Sequence, residues 1–332
     1  MDSLTQIILG AAVGEAVLGR KIGNKAMLYG AIAGTIPDLD VISSFFTDTV
    51  TALEIHRGFT HSIFFSVLFA PIFAFIITRY DCYKTIKDWS WLFFWVFITH
   101  PILDAQTTWG TQLFWPLDIR LAFKNVFVID PLYTLPFLVF LILAMGQKKE
   151  AKKRRFYNNL GLLISSSYLI LTIVLKGFAY QKFSEELATQ NIQYKTLNTK
   201  PTPLNTILWS ANIETEHSFL IGYSSFLDTS AIQFSSYQKN HYLLGDLANH
   251  PKVKRMVAIS KGFYTVNKLN KVLYFNDLRF GLLSIQPNAE NFVFKYKITV
   301  DEKGTPSFIE KPKEKRDGEK LLSDLWIRVK GN

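Results

Sequence analysis

The sequence predicts an α-helical membrane bundle of about six segments, the first two short, followed by a small β-rich C-terminal domain. Three observations lead there. Hydrophobic residues make up 48% of the 332, with 28 Phe, yet 19% are charged, so apolar and polar residues must be segregated. The long apolar runs fall in residues 1–178, whereas 179–332 is polar and mixed. Within that second part, short runs of β-forming residues alternate with polar, Gly or Asn turns. The length leaves room for about two domains: a helical membrane domain over 1–178 and a mainly β, extracytoplasmic domain over 179–332.

The segments follow in order. Residues 4–18 are apolar and rich in Gly and Ala, a composition that lets helices approach closely. They are fewer than the about 20 residues a helix needs to cross the hydrocarbon core. The N-terminus has no basic region before this run, which reads as a retained membrane segment. Residues 26–36 form a second short segment ending at Pro37-Asp38-Leu39-Asp40. If that stretch is extended, Asp38 and Asp40 point the same way. A polar loop leads to His56-Arg57-Gly58-Phe59-Thr60-His61-Ser62, and 60–78 is long enough to span. Residues 89–103 begin with the interfacial aromatics Trp89, Trp91 and Trp95 and end in His100-Pro101-Ile102-Leu103-Asp104. After a long loop, Asp130-Pro131 opens a segment running to about residue 145, and 160–178 is the last. Pro201 and Pro203 mark a linker or domain edge. Beyond it, 207–213, 218–223, 256–259, 263–266, 271–275, 280–285 and 292–300 read as strands.

Charge sets the orientation. Loops 20–25, 79–88 and 146–157 hold twelve Lys and Arg, against three in 37–59 and 100–130. The first set is therefore cytoplasmic. The motifs at 37–40, 56–62, 100–104 and 130 then share the outer membrane face with the C-terminal domain. The net charge of +10 is explained by these flanks without a nucleic-acid partner. The single cysteine, Cys82, excludes an intrachain disulfide and argues against a Cys-based zinc site.

Ionisable groups at a membrane edge are costly and mark functional sites. Asp38, Asp40, His56, His61, His100 and Asp104 form a candidate metal-ligand set. His100 and Asp104 are four apart and share a helix face if the helix continues through Pro101. Imidazole and carboxylate donors together suit Zn, Mn or Fe. Asp40 could serve instead as a general base, and Arg57 could hold a phosphate or carboxylate oxygen. Asp130 joins as a candidate catalytic residue, although Asp130-Pro131 also has the form of a helix N-cap with Pro at the first helical position. Thr60, Ser62 and Thr99 could orient ligands. Glu15 lies inside the first segment, away from these motifs. The His-x-x-x-Asp pair alone does not make a lipid phosphate phosphatase, whose other signatures are missing.

Met1-Asp2-Ser3-Leu4-Thr5, Gly10-Ala11-Ala12, Pro37-Asp38-Leu39-Asp40, the 56–62 heptad, His100-Pro101-Ile102-Leu103-Asp104, Trp115-Pro116 and Asp130-Pro131-Leu132-Tyr133 together resemble the bacterial inner-membrane YdjM-like family. The resemblance covers 1–178, and Asp277-Leu278-Arg279-Phe280-Gly281 looks like a segment of its longer members. It implies an integral inner-membrane protein and a metal-dependent hydrolase. Many members carry His where this chain has Gln6, which can still offer a carbonyl oxygen.

Two functions follow. One is a membrane-bound hydrolase with a divalent metal, Zn or Mn foremost, acting at the outer face on a lipid or amphiphilic ester or phosphoester. The other is a non-enzymatic metal-binding or envelope-stress protein whose polar cluster is structural.

Overall fold

A computed structural model describes residues 1–312 and 318–331. It has a helical N-terminal region and a C-terminal β-sheet domain. By contact the chain divides into two compact units. The first comprises Met1–Ser43, Ile55–Val174 and Pro203–Asn205; the second comprises Ser44–Glu54, Leu175–Thr202 and Thr206–Asn332.

The first unit is built on α1 (Ser3–Ile22) and α2 (Asn24–Thr35), joined by Gly23 at φ 65°. Gly10 and Gly14 face Gly30 and Gly34, so that a Cβ built on Gly30 would lie 2.1 Å from the Gly10 carbonyl oxygen. The two backbones touch because these positions have no side chains. A 3-10 helix, Pro37–Phe45, follows. This corrects the extended reading of 37–40: successive residues turn by about 120°, so Asp38 and Asp40 diverge. After α3 (Thr49–Ile55), Ser62 caps α4 (Ile63–Tyr80) by accepting from the Phe65 amide at 3.0 Å. α5 (Ile86–Asp104) continues through Pro101. Asp130 caps α6 (Pro131–Met145), and α7 runs over Lys152–Thr189. Trp89, Phe97 and Phe137 are among the side chains fully buried in this unit's core.

Among the described residues two helices, α4 and α7, are long and apolar enough to cross a membrane, with mean hydropathy of 1.9 and 1.8. α6 is apolar but has 15 residues. α5 has the length, but it carries Lys87, Asp88, His100 and Asp104 and is not among the helices apolar enough to span.

The second unit holds two antiparallel four-stranded meanders. One pairs β1 (Thr196–Pro201), β2 (Leu208–Glu214), β3 (Ser218–Ser225) and β4 (Phe234–Gln238) in that order. α8 (Pro251–Ile259) precedes the other, formed by β5 (Tyr264–Leu269), β6 (Val272–Leu282), β7 (Phe292–Val300) and β8 (Pro306–Glu310). α9 (Gly318–Val329) closes the chain. The expected strand at 256–259 is instead the end of α8. His250 accepts the Lys252 amide, Pro251 sits in the first turn, and Val253 and Met256 bury one helical face. Pro201, read as a linker mark, ends β1. Val50 packs with Phe275 and Tyr296, and Glu54 pairs with Arg255, so the second unit is not continuous in sequence.

Candidate metal centre

The centre gathers four elements of the first unit. The 3-10 helix after α2 supplies Asp38 and Asp40, the turns before α4 supply His56, Arg57 and His61, the end of α5 supplies His100 and Asp104, and α1 supplies Gln6. Asp38, His61, His100 and Asp104 each point one donor atom into a group less than 4.8 Å across. His61 Nε2 and His100 Nε2 are 3.2 Å apart. Asp38 Oδ1 lies 3.3 and 3.5 Å from them, and Asp104 Oδ2 also 3.3 and 3.5 Å.

The protons on these imidazoles can be assigned from their outer partners. His100 Nδ1 is 2.7 Å from the Gly34 carbonyl, which only accepts, so Nδ1 carries the hydrogen. His61 Nδ1 is 3.0 Å from the Thr60 hydroxyl, which itself donates to Asp40 Oδ2 at 3.4 Å. His61 therefore donates from Nδ1 as well. In the neutral rings both Nε2 atoms are bare lone pairs, and they face two carboxylate oxygens. Four acceptors converge with no proton between them. Asp104 Oδ2 and Gln6 Oε1 are buried with no hydrogen-bond partner.

These residues fit a divalent cation. A tetrahedral ion with donors at about 2.0–2.2 Å spaces them roughly 3.3–3.6 Å apart, close to the spacings above. Two imidazoles and two carboxylates are a donor set for Zn, Mn or Fe. Asp38 is the outermost donor, its side chain 24% exposed; the other three are at most 1% exposed.

Around this group lies a second layer. Asp40 Oδ1 takes His56 Nδ1 at 3.0 Å, and Oδ2 accepts the Arg57 amide at 2.6 Å. Burial pushes the Asp40 carboxyl up, but the His56 bond, the nearby His61 and the Arg57 amide outweigh it, and the group stays below its ordinary range. Asp40 and His56 thus pair with each other outside the four-donor group. Arg57 has a left-handed backbone, φ 57°. Its Nη1 donates to Thr107 at 3.0 Å, and its Nε lies 3.1 Å from Asp104 Oδ2. Gln6 Nε2 donates to the His100 carbonyl at 3.3 Å and to Asp104 Oδ1 at 3.0 Å, and the Met1 α-amino group also donates to Asp104 Oδ1.

Other predicted residues lie elsewhere. Asp130 Oδ1 accepts the Leu132 and Tyr133 amides at the start of α6, and Oδ2 accepts the Tyr168 hydroxyl at 2.8 Å. Its bonds are those of a helix cap. Ser62 caps α4, and Thr99 bonds back to the Trp95 carbonyl. Glu15 forms a buried two-point pair with Arg154, at 2.6 and 2.5 Å. Sequence reasoning missed Thr107 and the Gly34 carbonyl. Thr107 follows Asp104 by three residues, and that spacing was the only signal for it.

Residues 1–181 match the family model described as "YdjM inner membrane protein". This chain belongs to the YdjM inner membrane protein family. All eight site residues from Gln6 to Asp104 fall within the matched span. The chain is also similar to the inner membrane protein YbcI of Escherichia coli (strain K12), with 30% identity over 113 residues. That alignment covers 34% of this chain and 64% of YbcI, less than two thirds of the relative's length. No solved structure matches this YdjM family member.

Proposed function

We propose that this protein is a metal-dependent hydrolase of the bacterial inner membrane, acting at the outer face on a lipid or amphiphilic ester or phosphoester. The observation that carries the proposal is the convergence of four lone-pair donors beside a buried guanidinium. Asp38, His61, His100 and Asp104 would hold the cation. Bound there, it would supply Lewis acidity and lower the pKa of water. Thr60 and Gly34 fix the two imidazoles with Nε2 bare. Arg57, buried against Asp104, offers charge to an anionic substrate oxygen. Asp40 would take a proton through His56, whose side chain is 28% exposed and bonds it at 3.0 Å. Leu39, Val41 and Ile42 are about half exposed on the 3-10 helix that carries Asp38, which suits an amphiphile.

The proposal includes a multi-pass arrangement of about six membrane segments within 1–178, the basic loops in the cytoplasm and 179–332 outside. Elemental analysis of detergent-purified protein tests the centre. We expect near-stoichiometric Zn, Mn or Fe, lost in His61→Ala and Asp104→Ala, and chelator-sensitive cleavage of amphiphilic esters or phosphoesters. Metal-free protein at full stability would overturn the reading. One feature favours a second reading, a structural metal centre: four protein donors would fill the positions of a tetrahedral ion, whereas catalytic zinc keeps a position open. A chelator that lowers Tm while no ester is cleaved by loaded protein would select that reading.

A further inference from the structure

A second polar feature of the first unit lies at the other end of α1. From Gln6 to Glu15 and Arg20 the helix advances about 14 and 21 Å, well beyond the metal centre. There a cavity of 360 Å³ is lined by Glu15 and Arg20 of α1 and by Lys149, Lys152, Arg155 and Asn158 on and just before α7. Arg20, Lys152 and Arg155 are exposed, and among the described residues they have no ion-pair partner. The acids nearby do not neutralise them. Both Glu15 oxygens are taken by Arg154, and Glu150 stands 3.8 Å from Lys149. The first amides of α7 add partial positive charge. Asn158 is 2% exposed, and its Nδ2 donates to the Ala12 carbonyl at 3.0 Å. Asn158 lines the same cavity, and its Oδ1, itself shielded from solvent, has no partner. The site therefore offers several cations and one buried acceptor. It calls for an anion that also carries a donor.

We infer that this cavity binds a phosphodiester bearing a hydroxylated arm, as in the headgroup of an anionic glycerophospholipid. The cations take the phosphate oxygens, and Asn158 Oδ1 accepts from a hydroxyl of the arm. The surroundings favour a lipid as the source. Past Arg155, α7 turns apolar and exposes Phe156, Leu163, Ile170 and Leu171, beside which acyl chains can lie. This site is separate from the metal centre and stands whether or not the protein is a hydrolase.

The test uses full-length protein in mild detergent and native mass spectrometry. The probes are phosphatidylglycerol, phosphatidic acid, phosphatidylcholine and soluble glycerol 3-phosphate. We expect phosphatidylglycerol to be retained over phosphatidylcholine, with phosphatidic acid, which lacks the arm, weaker. The triple variant Arg20→Gln/Lys152→Gln/Arg155→Gln should lose at least about tenfold of that retention. Lys268→Gln/Lys271→Gln/Lys303→Gln, which removes the same charge from exposed positions elsewhere, should retain it. Glycerol 3-phosphate binding that is lost in the same triple variant would support the anion site and move its source to water. Equal retention by wild type and a folded Arg20/Lys152/Arg155 variant would overturn the proposal.

Discussion

Thr60 is the smallest lever on the metal centre. Its hydroxyl is the only described hydrogen-bond partner of His61 Nδ1, and it fixes which ring nitrogen is bare. Groups of this kind are worth 10–100-fold in metal affinity. Thr60→Val should weaken metal binding by about tenfold or more, read by competition with a chromogenic chelator, with the helical circular dichroism unchanged. Gln6→His should act the other way. It places an imidazole beside Asp104, where the present amide leaves Oε1 without a partner, and we expect tighter retention of metal in the same assay. His100 and Asp104 were legible in the sequence because a four-residue spacing puts them on one face of any helix. The divergence of Asp38 and Asp40 was not, since two residues apart means one side of a strand but different sides of a 3-10 turn. Gln6 reaches Asp104 across 98 residues of chain, and no local pattern encodes that contact.

Among the elements, the α1–α2 hairpin and the later part of α7 make opposite demands on glycine. A methyl group on Gly30 would meet the Gly10 carbonyl, and backbone cannot step aside as a side chain can. Gly30→Ala should cost at least about 1–3 kcal/mol, seen as a lower Tm in detergent. Gly177, inside α7, has nothing within 4 Å of its would-be Cβ. Gly177→Ala should be neutral or stabilising by about 0.5–1 kcal/mol. The same measurement reaches the Glu15–Arg154 pair. Arg154→Ala leaves a buried carboxylate uncompensated and should cost about 3–5 kcal/mol, whereas Glu15→Leu/Arg154→Met should recover most of it. Apolar runs announced the helices, and Gly and Ala content announced the close hairpin. Less of the β region could be read. β4 has only Phe234 and Tyr237 as large apolar residues, and α8 was hidden because Met256–Ile259 is too short for periodicity to separate helix from strand.

At the scale of the whole molecule, orientation is open to a direct measurement. Cys82 is the single cysteine, it is exposed, and it sits in one of the basic loops proposed to be cytoplasmic. A membrane-impermeant maleimide should leave it unlabelled in intact spheroplasts and modify it after permeabilisation, while added protease reaches the β region in both. The reverse pattern would invert the topology. Composition changes near residue 179 and the contact division falls between Val174 and Leu175, but the inclusion of 44–54 in the second unit has no mark in the sequence, because Glu54 and Arg255 lie 201 residues apart. The Glu15–Arg154 pair carries a further consequence, one of timing. Its partners are 139 residues apart, so at about 5–20 residues per second the ribosome delivers the arginine roughly 7–28 s after the acid. Through that interval the nascent α1 carries an unanswered carboxylate. Closing this pair therefore waits until α7 begins to be made, after the elements from α1 to α6.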